Sequence, residues 1–260
     1  MLNMENFPDE IKHLIKKYAS FKPKNRHELC HAVDTWCKDK NKALKLYFHI
    51  SFWDTSLIDD MSHMFDGRKN FNDNINDWDV SNVKSMYFMF LYAESFNQPL
   101  NKWDVSSVFD MRNMFYLASS FNQPLNSWNV SSVTDMESMF DGASSFNQPL
   151  DLWDVSSVTD MHFMFKGFGK IHSFNQNLNS WNVSSVWNME GMFFRASSFN
   201  QPLDSWDVSS VTDMRNMFGK ASSFNQPLNS WDVSNVTYME HIFDDAVSFH
   251  KKNAPWYDFN

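Results

Sequence analysis

The chain has 260 residues, among which 6 glycines stand against 26 Phe, 17 Met and 11 Trp. Ordinary usage would supply about 18 glycines, and the shortage argues against the phosphate-cradling loops of nucleotide enzymes, where the backbone must meet its ligand closely. A net charge of −9 opposes binding to nucleic acid or anionic lipid, and no run approaches the roughly 18 apolar residues of a spanning helix.

Residues 1–45 carry 10 Lys/Arg against 6 Asp/Glu, a net of +4; the other 215 residues carry 12 against 25, a net of −13. Acids precede any apolar stretch at the N-terminus, which does not read as a signal peptide, so a cytoplasmic location is expected. Phe7, Pro8, Ile11, Leu14, Ile15 and Tyr18 predict an amphipathic helix with proline near its start. A second helix is expected to hold Leu29, Cys30, Val33, Trp36 and Cys37. Cys30 and Cys37 are the only cysteines, which excludes a disulfide framework and suits a reducing compartment. With His27 and His31 they match no common zinc spacing, and small buried apolar residues are the simpler reading. No metal or other cofactor is expected.

The string Phe7-Pro-Asp-Glu-Ile11, followed by the helix bearing Cys30, Val33 and Trp36, resembles an F-box. That family docks an adaptor of cullin-type ubiquitin ligases. The resemblance implies that Phe7, Pro8, Ile11 and Ile15 face a Skp-type adaptor while Trp36 closes the small domain. Lys22-Pro-Lys-Asn-Arg26 departs from the leucine-rich middle of that family. The other reading of residues 1–45 is a terminal cap over the first unit of the array that follows.

Tryptophan recurs at 53, 78, 103, 128, 153, 181, 206, 231 and 256, at intervals of 25 interrupted once by 28. Fifteen of the 17 Met and 16 of the 26 Phe fall on fixed phases of the same period. The odd composition is one motif written eight times. In a typical unit Val133, Met136, Met139 and Phe140 have helical spacing. Ser132 with Asp135 forms a capping-box pattern, and Gly142 stands at the exit. Phe121-Asn-Gln-Pro-Leu-Asn-Ser-Trp128 is expected to be extended, because its proline forbids a helix interior. One strand and one short helix in 25 residues predict a coil of the leucine-rich-repeat type. Such a stack would curve with its closely spaced strands inside.

The polar positions repeat too. Asn follows the first Phe at 72, 97, 122, 147, 175, 200 and 225, and Ser stands three residues after each on-phase Trp from 53 to 231. Both are read as ladders that satisfy turn backbone groups. The Asp or Asn after each Trp admits a calcium reading, although these coils lack the glycines of calcium-binding solenoids; a turn bond to the Ser two residues on is the alternative.

Positions between and after the two methionines vary. There Tyr87, Phe88, Leu91, Tyr92, Phe109, Tyr116 and Leu117 form either a partner-binding aromatic cluster or packing between adjacent coils. The 28-residue unit adds Lys166, Gly167, Phe168, Gly169 and Lys170 to an acidic body, and Lys166, Phe168 and Lys170 are candidate partner contacts. The last coil degenerates toward Trp256, as an end coil should. Nine histidines occur at unrelated phases, with no catalytic constellation, so no enzymatic activity is expected.

The motif Phe-Asn-Gln-Pro-Leu-Asp-Ser-Trp-Asp-Val-Ser-Ser-Val-Thr-Asp-Met-x-x-Met-Phe at 199–218 resembles the BspA-like surface-protein repeat, over residues 46–256. That resemblance implies an interaction or adhesion array without catalytic residues, and fits a protist or large-DNA-virus member placed in the host cytoplasm or virion. The fold expected is an α/β repeat solenoid: a leucine-rich-repeat-like stack of about eight coils over 46–260, with a small helical cap over 1–45. Its expected role is a non-catalytic protein–protein interaction scaffold. A ubiquitin-ligase substrate receptor and a structural or adhesive component such as a virion protein are the other readings.

Overall fold

The computed structural model describes Pro8 and residues 20–169 and 172–258. Two helices open the described chain. Helix α1, Arg26–Lys38, starts at Asn25, whose side chain accepts from the Glu28 N–H, replacing one backbone bond that a helix start lacks. Its Leu29, Ala32, Val33 and Trp36 are buried at spacings of three, one and three, a single face. Asp39 then caps α2, Lys40–Tyr47, by accepting from the Lys42 N–H. The Trp36 indole donates to Asp73 at 2.9 Å and its ring meets Trp53 edge-on at 6.1 Å. Arg26 donates to the Ser62 carbonyl. The helices therefore sit on the first repeat and cover it.

From Trp53 to Trp231 the repeated apolar residues enter one continuous core. We number the coils from their tryptophans, coil 1 beginning at Trp53 and coil 8 at Trp231. The tryptophans stack coil on coil, as in Trp103–Trp128 at 6.3 Å and 4° and Trp206–Trp231 at 6.5 Å and 0°. Two phenylalanine columns run beside them: Phe115 stacks on Phe140 at 5.6 Å and Phe121 on Phe146 at 6.0 Å. Within one coil the two rings lie 4.1 Å apart, as for Phe140 and Phe146. From Trp78 onward each on-phase indole N–H donates to the carbonyl three residues before the preceding on-phase tryptophan, Trp128 to Leu100 at 3.0 Å and Trp153 to Leu125 at 2.9 Å. A coil buries almost nothing unless its neighbours are present, so folding of the array is collective.

The short helix expected after Val133 is replaced by turns. The reason lies in where the backbone donors go. Met136, Ser138, Phe140 and Gly142 donate to the Asp160, His162, Met164 and Lys166 carbonyls of the next coil, while Met139, Asp141 and Ala143 donate three residues back. Ser138 (φ 52°) and Gly142 (φ 70°) are left-handed, which interrupts helical progression. Ser132 donates its hydroxyl to Ser106 rather than capping, and Asp135 accepts from the Glu137 N–H. The expected strand is displaced as well. Parallel bridges join Asp60, Ser85, Asp110, Asp135, Asp160, Asn188, Asp213 and Tyr238 in succession, just before the first methionine. The Phe-Asn-Gln-Pro segment forms no bridge; its Asn side chains do the joining. Asn122 Oδ1 accepts from the Asn147 N–H at 3.0 Å and from Gln148 Nε2 at 3.0 Å. With no α-helix beyond Tyr47 among the described residues, the inference of a curved stack loses its premise.

Glycine is required where the array breaks step. A Cβ on Gly167 would stand 2.2 Å from the Arg195 carbonyl oxygen of the next coil, whereas one on Gly67 would meet nothing. Gly167→Ala is expected to cost about 2 kcal/mol through backbone displacement, against about 1 kcal/mol for Gly67→Ala from its left-handed φ alone. Urea unfolding of both variants checks the order, and equal losses would refute the steric account.

Candidate interaction surface

The structure separates the residues that the sequence grouped. Tyr87 is half-buried, 4.0 Å from Phe88 and with the Arg112 guanidinium 4.8 Å over its ring. His63 joins them, 5.3 Å from Tyr87. Tyr92 and Tyr116 form a second pair, edge-on at 5.8 Å. Leu117 lies against the next coil, its Cδ2 filling the space a side chain on Gly142 would take. Much of this cluster thus packs coil on coil. Phe109 belongs to neither pair and stands on the bridge side. Pro8 is exposed; Phe7, Ile11, Ile15 and Lys170 lie outside the described residues.

At the insertion, Lys166 is committed to Asp141, 3.0 Å away, and lies 4.7 Å over the Phe163 ring. Burial pushes the Asp141 carboxyl up to about 6, against the pull of Lys166. Its Oδ1 has no hydrogen-bond partner. His172 is 1% exposed, and neither ring nitrogen finds a hydrogen-bond partner. Burial holds its pKa down to about 4, with only the Phe140 backbone opposing. Phe168 is exposed.

The bridge side carries what the period concealed. One residue before each bridge lie Asp59, Lys84, Phe109, Thr134, Thr159, Trp187, Thr212 and Thr237, linked by backbone bonds such as Thr134 N–H to Phe109 and Trp187 N–H to Thr159. Among the threonines of coils 4, 5, 7 and 8 and the charged residues of coils 1 and 2, Phe109 is 50% and Trp187 47% exposed. Trp187 is the one array tryptophan off the 25-residue phase, and that was the available signal. Three coil spacings of about 4.8 Å place the two rings roughly 14 Å apart along the stack.

Beside this line, charges alternate from coil to coil. Arg112, Glu137, His162, Glu190, Arg215 and Glu240 occupy one position in coils 3 to 8. His162 reaches Glu137 at 3.3 Å and Asp160 at 2.7 Å; Arg215 reaches Glu190 at 3.1 Å. Burial works against the imidazolium, yet bonding and attraction to Asp160, with Glu137 and Asp135 adding to it, raise the His162 pKa above its ordinary value. Burial lifts the Asp135 carboxyl, with Asp160 and Glu137 adding repulsion.

The Asp or Asn after each Trp makes the turn bond, as Asp79 Oδ1 accepts from the Ser81 N–H at 3.1 Å. Among the described residues no three His, Cys, Asp or Glu side chains converge to hold a metal, and no helix is long and apolar enough to cross a membrane. What the repeats offer is a long, regular, decorated surface.

A family model described as "Mycoplasma protein of unknown function, DUF285" matches the chain three times, over residues 37–151, 102–170 and 142–256. The matches overlap and together span 37–256. No curated protein and no solved structure matches the chain.

Proposed function

Because the chain belongs to this family of Mycoplasma proteins of unknown function, DUF285, and is written as one repeated unit, we propose that it is a non-catalytic protein–protein interaction scaffold. In this reading the coils form a leucine-rich-repeat-like solenoid, with α1 and α2 as the cap of its first coil. The observation that carries the proposal is the pair Phe109 and Trp187: large rings half in solvent on a line where coils 4, 5, 7 and 8 place threonine and coils 1 and 2 a charged residue. Repeat packing does not call for them, and exposed aromatics on a rigid frame are the usual anchors of a binding surface.

The threonines also supply a clean test. Phe109→Thr with Trp187→Thr restores residues that the array itself uses, so unfolding should change by less than about 0.5 kcal/mol. A partner captured by the wild-type chain should be lost by the double variant. Capture that survives the double substitution would overturn this surface. The segment bearing Phe7, Pro8, Ile11 and Ile15 enters this reading only through the cap behind it. Docking of that segment on a Skp-type adaptor is a separate proposal, tested by co-purification.

A further inference from the structure

The two exposed rings define a distance. Phe109 in coil 3 and Trp187 in coil 6 stand on one line, roughly 14 Å apart at about 4.8 Å per coil. Between them lie Thr134 and Thr159, both exposed. Their hydroxyls donate along the stack to the Phe109 and Thr134 carbonyls at 3.3 and 3.2 Å, which leaves the oxygen lone pairs to accept from outside. The surface is a polar floor with a large aromatic ring at each end.

That distance selects the conformation of a chain lying along the stack. In an α-helix one face recurs about 10.5 Å away at i+7 and about 16.5 Å away at i+11, and neither spacing meets both rings. A polyproline helix repeats its face every three residues, at about 9 Å and then about 19 Å. An extended chain places residues i, i+2 and i+4 on one face, with i and i+4 about 13 Å apart. Of the three, the extended chain alone sets a side chain on each ring. Its residue i+2 then falls midway, over the seam of coils 4 and 5, whichever way the chain runs.

Charge at that midpoint specifies the central residue. Asp110, Asp135 and Asp160 directly follow Phe109, Thr134 and Thr159, and Glu137 stands two residues after Asp135. Two cations serve these four carboxylates. Arg112 lies 2.8 Å from Asp110 and 3.7 Å from Asp135; His162 lies 2.7 Å from Asp160 and 3.3 Å from Glu137. Even with His162 protonated, the carboxylates outnumber the cations. The shortage centres on coil 4, where Glu137 stands at the position that holds Arg112 in coil 3 and His162 in coil 5. An arginine or lysine at i+2 relieves the crowding, and an acid there adds to it.

We propose that Phe109 and Trp187 dock an extended segment of a partner protein, with apolar side chains four residues apart and an arginine or lysine midway between them. The apolar side chains cover the two rings, the backbone lies over Thr134 and Thr159, and the cation joins Asp135 and Glu137. The inference rests on the interaction reading above and gives its partner a chemistry.

The probe is a displayed library of random peptides, about nine residues long, selected on the full chain. Selected peptides are expected to carry the apolar–x–basic–x–apolar pattern. A labelled peptide made from them should bind Phe109→Thr with Trp187→Thr about tenfold more weakly. Asp135→Asn with Glu137→Gln tests the charge separately. Asn188 holds the place of Asp135 in coil 6, where its Oδ1 accepts from the Glu190 N–H at 3.0 Å. The variant therefore keeps the turn bond and is expected to fold, and unchanged tryptophan emission checks that it does. It should bind the basic peptide about tenfold more weakly, and the same peptide with glutamine at the central position equally well. Ring-dependent peptides with another spacing or no central cation would overturn the proposal and leave the interaction surface standing. Peptides indifferent to the rings, or no selection at all, would overturn it too; the capture test above then decides whether the surface itself stands.

Discussion

Trp128→Ala is expected to cost the array about 4 kcal/mol, near the upper range for a buried aromatic truncation. The ring is 3% exposed, lies flat on Trp103, and its Nε1 closes a bond to the buried Leu100 carbonyl. Removing it leaves a cavity between two faces and an under-bonded carbonyl. In a linear array each coil is stabilised by its two neighbours, so damage in coil 4 weakens the coupling between the two sides of the stack. Trp256→Ala provides the contrast, because that ring also stacks on a tryptophan, Trp231, but is only partly buried. Its loss should be about half as large. Trp128→Phe separates packing from hydrogen bonding: it keeps a stacked ring, loses the N–H, and should cost about 1–2 kcal/mol. Guanidinium unfolding followed by circular dichroism measures all three. Equal losses at 128 and 256 would mean that the coils do not support one another.

How much of this was legible in the sequence depends on which interaction set each feature. The period, the insertion and the buried set were readable, because each Trp, Met and Phe column is identical in chemistry from coil to coil and a stack requires that identity. The Asp79–Ser81 turn bond and the Asn ladder were readable for the same reason. The local conformation was not. Val133, Met136, Met139 and Phe140 have helical spacing, but spacing reports which side chains are buried and not where backbone N–H groups bond. Here alternate donors leave for the next coil, and two left-handed residues per coil permit it. Seven of those residues are as unlike glycine as Phe88, Tyr92, Leu117, Phe163, Arg195, Lys220 and His241, so no composition rule announces them. Trp187 was hidden by the regularity itself: nine tryptophans on phase drew attention away from the one array position off it.

Acidification should act on the array most strongly at its break in step. His172 has an ordinary pKa near 6.5 and burial lowers it to about 4 in the folded chain. Between those values the unfolded chain binds a proton that the folded chain refuses. Stability is therefore fully present above pH 6.5 and falls as pH drops toward 4. At 1.36 kcal/mol per unit the whole loss is about 3 kcal/mol. Asp141 runs the other way. Its carboxyl rises from 3.8 to about 6, so the folded chain binds the extra proton, and stability is gained as pH falls through 6. The gain is also about 3 kcal/mol. The two partly cancel in the native chain, and single substitutions expose each. His172→Ser, which places at 172 the residue found at Ser119, Ser144 and Ser197, should remove the acid-induced loss. The difference in unfolding free energy between native chain and variant should then shift by about 3 kcal/mol from pH 7.5 to pH 4. Asp141→Asn should produce a shift of opposite sign. Urea unfolding at matched ionic strength resolves both slopes. Parallel curves for native chain and His172→Ser would show that the buried imidazole takes up its proton without disturbing the coil, and would remove the insertion as the acid-sensitive point of the stack.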